Sequence, residues 1–334
     1  MKIGNVDLGQ RPLLLAPMED VSDAPFRLLC KQFGASLVYT EFVSADALVR
    51  YVPSTCKKMQ IATEERPAAI QIYGRDVDTM REAARMACEL KPDILDLNFG
   101  CPVKRVAGKG AGSGMLRDIP KLLQITKAVV EVSDCPVTVK TRLGWDHNSI
   151  IIEDLALALQ DCGIAALTIH GRTRSDMYKG KADWTPIGRI KDNQQMHIPI
   201  IGNGDITTGE EALSAFEQYG VDAVMVGRAS VGQPWIFSEM QTTLKSNTIQ
   251  NISLTLSGKM KILRQIVESN IQKLDPYKGI LHSRRHLAAT PLFKGIPNFR
   301  STRIEMLQAS DPETLFSVLN KVEEMLLEST NLPL

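Results

Sequence analysis

The chain of 334 residues contains no C-x-x-C pair, no apolar run of membrane-spanning length, no G-x-G-x-x-G fingerprint and almost no net charge. Its six cysteines, at 30, 56, 88, 101, 135 and 162, are scattered, so neither a zinc site nor a disulfide framework is indicated and no metal is expected. Cys88 and Cys162 fall in helical patterns, where a small buried hydrophobe is the plain expectation. Without a long apolar run a membrane span is excluded. The opening Met1-Lys2-Ile3-Gly4-Asn5-Val6-Asp7 lacks a signal-peptide pattern, so a cytoplasmic protein is expected. The missing dinucleotide fingerprint argues against a cofactor bound through a Rossmann turn. There is no internal repeat or low-complexity segment. The formal charge of +1 hides an asymmetry. Residues 258–303 carry ten Lys or Arg against Glu268 and Asp275, so ten minus two is +8 and the remainder holds −7. Such unevenness fits either a polyanion partner or a solvated helical face.

Hydrophobic and charged residues at 44% and 23% are those of an ordinary globular protein, and the length suffices for a barrel plus a smaller domain. Strand-like runs recur at 13–16, 37–40, 68–72, 94–98, 136–141, 166–170, 198–202 and 223–227. Helical patterns at 24–33, 77–90, 119–132, 152–162 and 209–219 separate most of them. Eight strands alternating with helices predict an α/β fold of the (β/α)₈ TIM-barrel type. Beyond about residue 240 only helical spacing remains. Ile262, Leu263, Ile266, Val267, Ile271 and Leu274 make one stripe, and Leu315, Val318, Leu319, Val322, Met325 and Leu326 another, the latter entered at Ser310-Asp311-Pro312-Glu313. The division expected is a catalytic barrel over 1–244 and a small all-helical domain over 245–334.

The barrel frames one stretch, Ile94-Leu95-Asp96-Leu97-Asn98-Phe99-Gly100-Cys101-Pro102. It reads as a strand closed by a Gly/Pro turn, with Asp96 and Asn98 on one face. Buried polar side chains at a strand end are costly unless they meet partners or a ligand. The loop that follows, with Lys104, Arg105 and several glycines, is expected to be a basic, mobile lid over an anion. Other strand ends carry Pro17 and Met18, Gln71, Lys140, His170, Asn203 with Asp205, and Arg228. In such barrels chemistry gathers at these ends. Two glycine turns, Gly202-Asn203-Gly204-Asp205 and Gly227-Arg228, occupy the usual phosphate position after the seventh and eighth strands. With Lys140 they suggest a phosphorylated cofactor across the barrel mouth. His170, followed by Arg172 and Arg174, reads as phosphate-facing rather than structural.

At these residues the chain resembles the tRNA-dihydrouridine synthases, most closely the B-type bacterial members. The matching stretches are Ala16-Pro17-Met18, Gln71, Asn98-Phe99-Gly100-Cys101-Pro102, Lys140-Thr141-Arg142, Thr168-Ile169-His170-Gly171-Arg172-Thr173, Asn203-Gly204-Asp205 and Gly227-Arg228. They keep the family's order across the barrel. Glu19-Asp20 departs from it, standing where many members carry small residues. The resemblance implies an FMN-binding barrel joined to a helical tRNA-binding domain. NADPH would reduce the flavin, which would then reduce the 5,6 double bond of a uridine in tRNA. Carried over, Pro17, Met18, Glu19, Gln71, Lys140, His170, Asn203, Gly204, Asp205, Gly227 and Arg228 would bind FMN, and Cys101 would donate the proton. Asn98, Lys104, Arg105, Arg142, Arg172, Arg284 and Arg285 would face tRNA. No obligate protein partner is indicated.

The residue chemistry agrees: a thiol of ordinary pKa, about 8.5, starts protonated as a general acid must. A base within folded RNA must be extruded to reach such a pocket. Two other readings stand beside this one. One is an FMN barrel acting on a free pyrimidine, as a dihydroorotate dehydrogenase does, which would not need the basic helical appendage. The other is a non-catalytic RNA-binding barrel, which would not need a full set of flavin-site residues.

Overall fold

The computed structural model describes residues 1–246 and 254–331. A small antiparallel hairpin pairs Lys2–Ile3 with Val6–Asp7 ahead of the main sheet. Eight parallel strands follow: β1 (Leu13–Leu15), β2 (Val38–Tyr39), β3 (Ala68–Tyr73), β4 (Ile94–Asn98), β5 (Val137–Arg142), β6 (Ala166–His170), β7 (Ile200–Asn203) and β8 (Ala223–Val226). They are hydrogen-bonded in the order β1-β8-β7-β6-β5-β4-β3-β2. A parallel bridge between Leu14 and Leu37 closes the ring. There Ser36 N–H donates to the Leu13 carbonyl at 2.7 Å and Leu15 N–H to that of Leu37 at 2.9 Å. Closure leaves no sheet edge to protect. The expected eight-stranded barrel is therefore present.

Connecting helices cover the outside: α1 (Ala24–Gln32), α2 (Val77–Glu89), α3 (Ile119–Val132), α4 (Ile152–Asp161), α5 (Thr185–Asp192), α6 (Gly209–Tyr219) and α7 (Ile236–Ser246). Asp76, Asp118 and Thr208 start α2, α3 and α6 by accepting a backbone N–H three residues on. Alternation sorts the strand residues. Leu13 and Leu15 pack outward among the helices, while Leu14, Tyr39, Ala69, Ile94, Ala166, Ile201, Ala223 and Met225 fill the barrel floor. Above that floor the inward positions turn polar: Gln71, Asp96, Thr138 and Thr168, all buried, then Asn98, Lys140, His170 and Asn203. The apolar floor makes the barrel a packed core, and the polar upper layers turn one end into a site.

The C-terminal region is helical throughout its described part: α8 (Leu256–Lys273), α9 (Pro276–Ala289), α10 (Arg300–Gln308) and α11 (Pro312–Asn331). Both apolar stripes face inward, with Ile262, Leu263, Ile266, Leu315, Leu319 and Val322 buried. Leu274 is the exception: α8 stops at Lys273 and leaves it exposed. Gly279 lets α9 press on α8, since a Cβ there would lie 2.5 Å from the Ile271 backbone. This region docks on the barrel at the loop after β1. Asp23 caps α1 through Phe26 N–H, and its other oxygen meets Lys273 at 3.3 Å and His282 at 3.4 Å. The His286 ring lies 4.7 Å from that of Phe26, and its Nδ1 accepts from Gly232 N–H. Among the described residues no helix is long and apolar enough to cross a membrane.

Candidate active site

A cavity of about 610 Å³ opens at the carboxyl ends of the strands. That volume lies in the range of small-molecule and cofactor sites. Pro17, Met18, Glu19, Asn98, Cys101, Arg105, Lys140, Arg142, His170, Asn203, Gly204, Asp205, Gly227 and Arg228 all line it. Thus residues from six strand ends, scattered over more than two hundred positions, meet in one place. Gln71 does not touch it; its side chain is wholly buried one layer below.

The Cys101 turn is held by a chain of side-chain hydrogen bonds that begins inside the barrel. Thr138 Oγ1 donates to one oxygen of Asp96, and Gln71 Nε2 donates to the other at 2.6 Å. Gln71 Oε1 accepts from Asn98 Nδ2 at 2.8 Å. Asn98 Oδ1 in turn accepts the backbone N–H groups of Gly100 (3.0 Å) and Cys101 (2.8 Å). Four inward side chains of β3, β4 and β5 therefore fix the cysteine backbone. Asp96 is completely buried and has no ion-pair partner among the described residues, so desolvation raises its carboxyl to about 6, opposed by the two donors. Sequence pattern singled out Asp96 and Asn98 as polar strand-end groups, but not their linkage through Gln71 or the part of Thr138.

Cys101 is nearly buried. Burial pushes its thiol up, and the Val103 N–H and the Arg142 charge pull less strongly the other way. The thiol therefore stays protonated at neutral pH. Its carbonyl is held by Ser113 through both N–H and hydroxyl. The following loop was expected to be a mobile lid; instead it folds into a helical turn at Lys104–Ala107 and a 3-10 turn at Gly112–Arg117, packed on Cys101 through Val106 and Ala111. Lys104 and Arg105 project outward, and Arg105 lies 3.7 Å from Glu19 across the mouth. Glu19 also pairs with Lys58 at 2.9 Å, which reaches Glu41 at 3.1 Å.

Lys140 Nζ donates to Asn203 Oδ1 at 3.1 Å, and Asn203 Nδ2 to the Met225 carbonyl. Burial, with help from Arg142, lowers the ammonium to about 8. His170 is held neutral by burial and by Arg142, Lys140, Arg172 and Arg228 around it. Arg172 contacts its Nε2 at 3.3 Å, and a guanidinium can only donate, so the imidazole proton sits on Nδ1. Asp205 bridges two arginines, Arg172 at 2.7 Å and Arg228 at 3.2 Å. Gly204 adopts φ +127, and a Cβ there would lie 2.7 Å from that of Ala182 and 3.1 Å from the His170 ring. Only glycine fits, leaving backbone open to the cavity beside Gly227 and Arg228.

Four cations expected to face RNA make contacts within the protein. Arg142 and Arg172 are each 2% exposed. Arg142 donates to the carbonyls of Gly100, Thr173 and Met177, and Arg172 to those of Lys179 and Gly180. Guanidinium groups satisfied by loop carbonyls act as clamps on the mouth. Arg284 donates to the Ala309 carbonyl, and Arg285 meets Asp20 at 3.3 Å and the Asp20 carbonyl. Both are partly buried at helix packing or at the barrel contact.

The dihydrouridine synthase (Dus) family model matches residues 14–331. The chain is 38% identical to the tRNA-dihydrouridine synthase B of Pasteurella multocida over 86% of each chain. It is 43% identical to that of Pseudomonas aeruginosa over 74% of this chain and 73% of the other. With the tRNA-dihydrouridine synthase B of Xanthomonas campestris pv. campestris it shares 35% identity over 100% and 99%. Among solved structures, a 2-naphthoyl-CoA reductase complex superposes with TM-score 0.60 at 12% identity, covering 87% of this chain and 57% of that one. Morphinone reductase in complex with tetrahydroNAD gives 0.53 at 14%, covering 76% and 91%. At such identities these two speak for the barrel fold alone.

Proposed function

The chain belongs to the dihydrouridine synthase family, and from that premise we propose that it reduces the 5,6 double bond of a uridine in tRNA, using FMN that NADPH reduces, with Cys101 as proton donor. The observation that carries this is the meeting of the protonated Cys101 thiol and the Lys140 ammonium at one cavity. The residues present fit an FMN. Lys140, His170 and Asn203 supply buried polar groups, Pro17, Met18 and Glu19 line the opposite wall, and Gln71 supports Asn98 from below. Gly204, Asp205, Gly227 and Arg228 form one anion-sized cradle, which suits a single phosphate better than a dinucleotide. Bound there, the flavin supplies the two-electron chemistry.

The chain's own groups do the rest. Desolvation keeps the Cys101 proton in place until charge develops at C-5 of the pyrimidine, and transfer then satisfies it. At pH 7 an ammonium with a pKa of about 8 is roughly nine-tenths charged, so Lys140 offsets negative charge on the flavin or the uracil carbonyls. Neutral His170 offers the Nδ1 proton as a donor without adding a further cation. Arg142 and Arg172 hold the mouth to shape. We assign RNA backbone contact to Lys104 and Arg105, and to the helical domain over 245–334, with the barrel over 1–244 doing the chemistry. We place the enzyme in the cytoplasm with its tRNA substrate and assign it no obligate protein partner.

The test is direct. The purified protein, NADPH and unmodified tRNA should yield dihydrouridine at a defined position, and the released cofactor should have the mass of FMN. Reduction of a free pyrimidine with no action on tRNA would overturn the substrate assignment. Release of FAD would overturn that of the cofactor.

A further inference from the structure

Two thiols lie at the opposite end of the barrel from the cavity. Cys88, in the last turn of α2, and Cys135, in the connection from α3 to β5, have their sulfurs 4.0 Å apart. Cys135 precedes the first residue of β5, whereas the site lies beyond the last, and Pro136 beside it accepts the N–H of Leu95. Cys88 is not the buried hydrophobe expected from its helical setting: both cysteines are partly exposed and line a pocket of about 470 Å³ together with Arg85, Glu89, Lys91 and Asp134. Among the described residues no third metal-ligating side chain joins them.

We propose that Cys88 and Cys135 form a thiol–disulfide exchange site that reacts with low-molecular-weight disulfides. The separation needs only a small side-chain movement to reach bonding distance. The roles are unequal. Either thiol can donate in this contact; with Cys135 taken as the donor, the Cys88 thiol is drawn down to about 6, while that bond and burial push Cys135 up. Burial raises the thiols of Cys30, Cys101 and Cys162 instead. Cys88 is thus the nucleophile and Cys135 the resolving thiol. In the first step the Cys88 thiolate attacks one sulfur of the small disulfide, forming a mixed disulfide and releasing one small thiolate. In the second, Cys135 attacks the Cys88 sulfur, the mixed bond breaks, and the second small thiolate leaves with the Cys135 proton. The two cysteines are oxidised by two electrons and the small disulfide is reduced to two thiols. The pocket's cations, Arg85 and Lys91, suit a disulfide that carries carboxylates.

The bond would staple two adjoining αβ connections, closing a loop whose ends are 47 residues apart in sequence. In this fold that face carries stability rather than chemistry. Oxidation should therefore raise the thermal midpoint by several degrees and leave turnover on tRNA unchanged.

The experiment treats the purified full chain with oxidised glutathione, then measures intact mass and maps modified peptides. The wild type should lose two hydrogens and show a Cys88–Cys135 peptide. Cys135→Ser should trap one glutathione on Cys88, and Cys88→Ser should leave Cys135 unmodified. A wild type that accumulates stable mixed disulfides at either cysteine would overturn the proposal. So would a Cys135→Ser protein with Cys88 still free. If the disulfide forms and the thermal midpoint does not rise, the staple is refuted.

Discussion

Asn98→Ala tests the idea that Cys101 is positioned by a buried relay rather than by its turn alone. The substitution removes the acceptor of two backbone N–H groups and the donor to Gln71. Gly100 is partly exposed, so water can replace its partner; the Cys101 N–H and Gln71 Oε1 are buried and lose theirs. Each buried group left unsatisfied costs about 1–3 kcal/mol, so roughly 2–6 kcal/mol is at stake. A water in the vacated volume would bring the loss toward the lower end. Against a typical reserve of about 5–15 kcal/mol the variant still folds. The functional effect should be sharper, because displacing a reacting group by about 1 Å costs on the order of 10²-fold. The assay is single-turnover reoxidation of the reduced flavin by tRNA, with flavin content and NADPH oxidation as controls. We expect the first to slow about a hundredfold and the controls to hold. Urea unfolding of Asn98→Ala, Gln71→Ala and the double variant should show coupling of about 0.5–3 kcal/mol, since the two share one bond. Strict additivity, or weakened tRNA binding at an unchanged chemical rate, would refute the relay and return Asn98 to the role of an RNA contact.

Cys101→Ala should keep flavin and its reduction by NADPH yet lose about 10²–10⁴-fold in reoxidation by tRNA, and a wild-type rate there would make the cysteine structural. Lys140→Ala should lower flavin content and NADPH oxidation together; normal values for both would contradict its placement. Asp96 carries a pH signature: its folded pKa of about 6 lies above the unfolded value of about 3.9. The folded state thus binds the proton more tightly, so this contribution is full below about pH 4 and is lost as pH rises through 6, about 3 kcal/mol in all. Urea midpoints of wild type and Asp96→Asn measured from pH 4 to 7 should therefore converge or diverge across that window, and parallel curves would sink the argument. Lys104→Gln with Arg105→Gln should reduce the log–log salt slope of tRNA binding by roughly two units without altering the flavin spectrum.

The barrel was legible because parallel strands buried on both faces write themselves as short apolar runs, and all eight stood out. Two connecting helices did not, α5 and α7. α5, Thr-Pro-Ile-Gly-Arg-Ile-Lys-Asp, is short and carries Gly188, needed because a Cβ there would lie 3.0 Å from the Tyr219 ring. The strand-end residues were readable as a set, since polar groups in a buried strand need a reason. Their partners were not. The bond from Gln71 to Asp96 joins positions 25 apart and that from Lys140 to Asn203 positions 63 apart, and no local pattern encodes such pairings. Charge was read most poorly. An arginine on an inward face and one on a helix look alike in sequence, yet Arg142 is held by three carbonyls while Arg105 is mostly exposed.

That difference revises how the excess of +8 is to be understood. Three acids of the loop after β1 draw on partners from three other places: Glu19 on Lys58 and Arg105, Asp20 on Arg285, and Asp23 on Lys273 and His282. Within the helical domain Arg264 is taken by Glu323 and Lys278 by Asp275, and Lys259 reaches Glu239 of α7. Of these, only Lys278–Asp275 is well exposed, and such pairs contribute little to stability and are open to competition from phosphates. Buried ones are not so exchangeable: Asp23 is nearly inaccessible, and a hydrogen bond from His282 with the Lys273 charge beside it holds its carboxyl at about 2 against the cost of burial. Lys273, His282 and Arg285 dock the helical region on the loop that forms one wall of the cavity, and Lys261, Lys294, Arg300 and Arg303 are exposed. Because Asp23 caps α1 while Met18 and Glu19 of the same loop line the cavity, the seating of the helical domain and the shape of the site depend on one short segment.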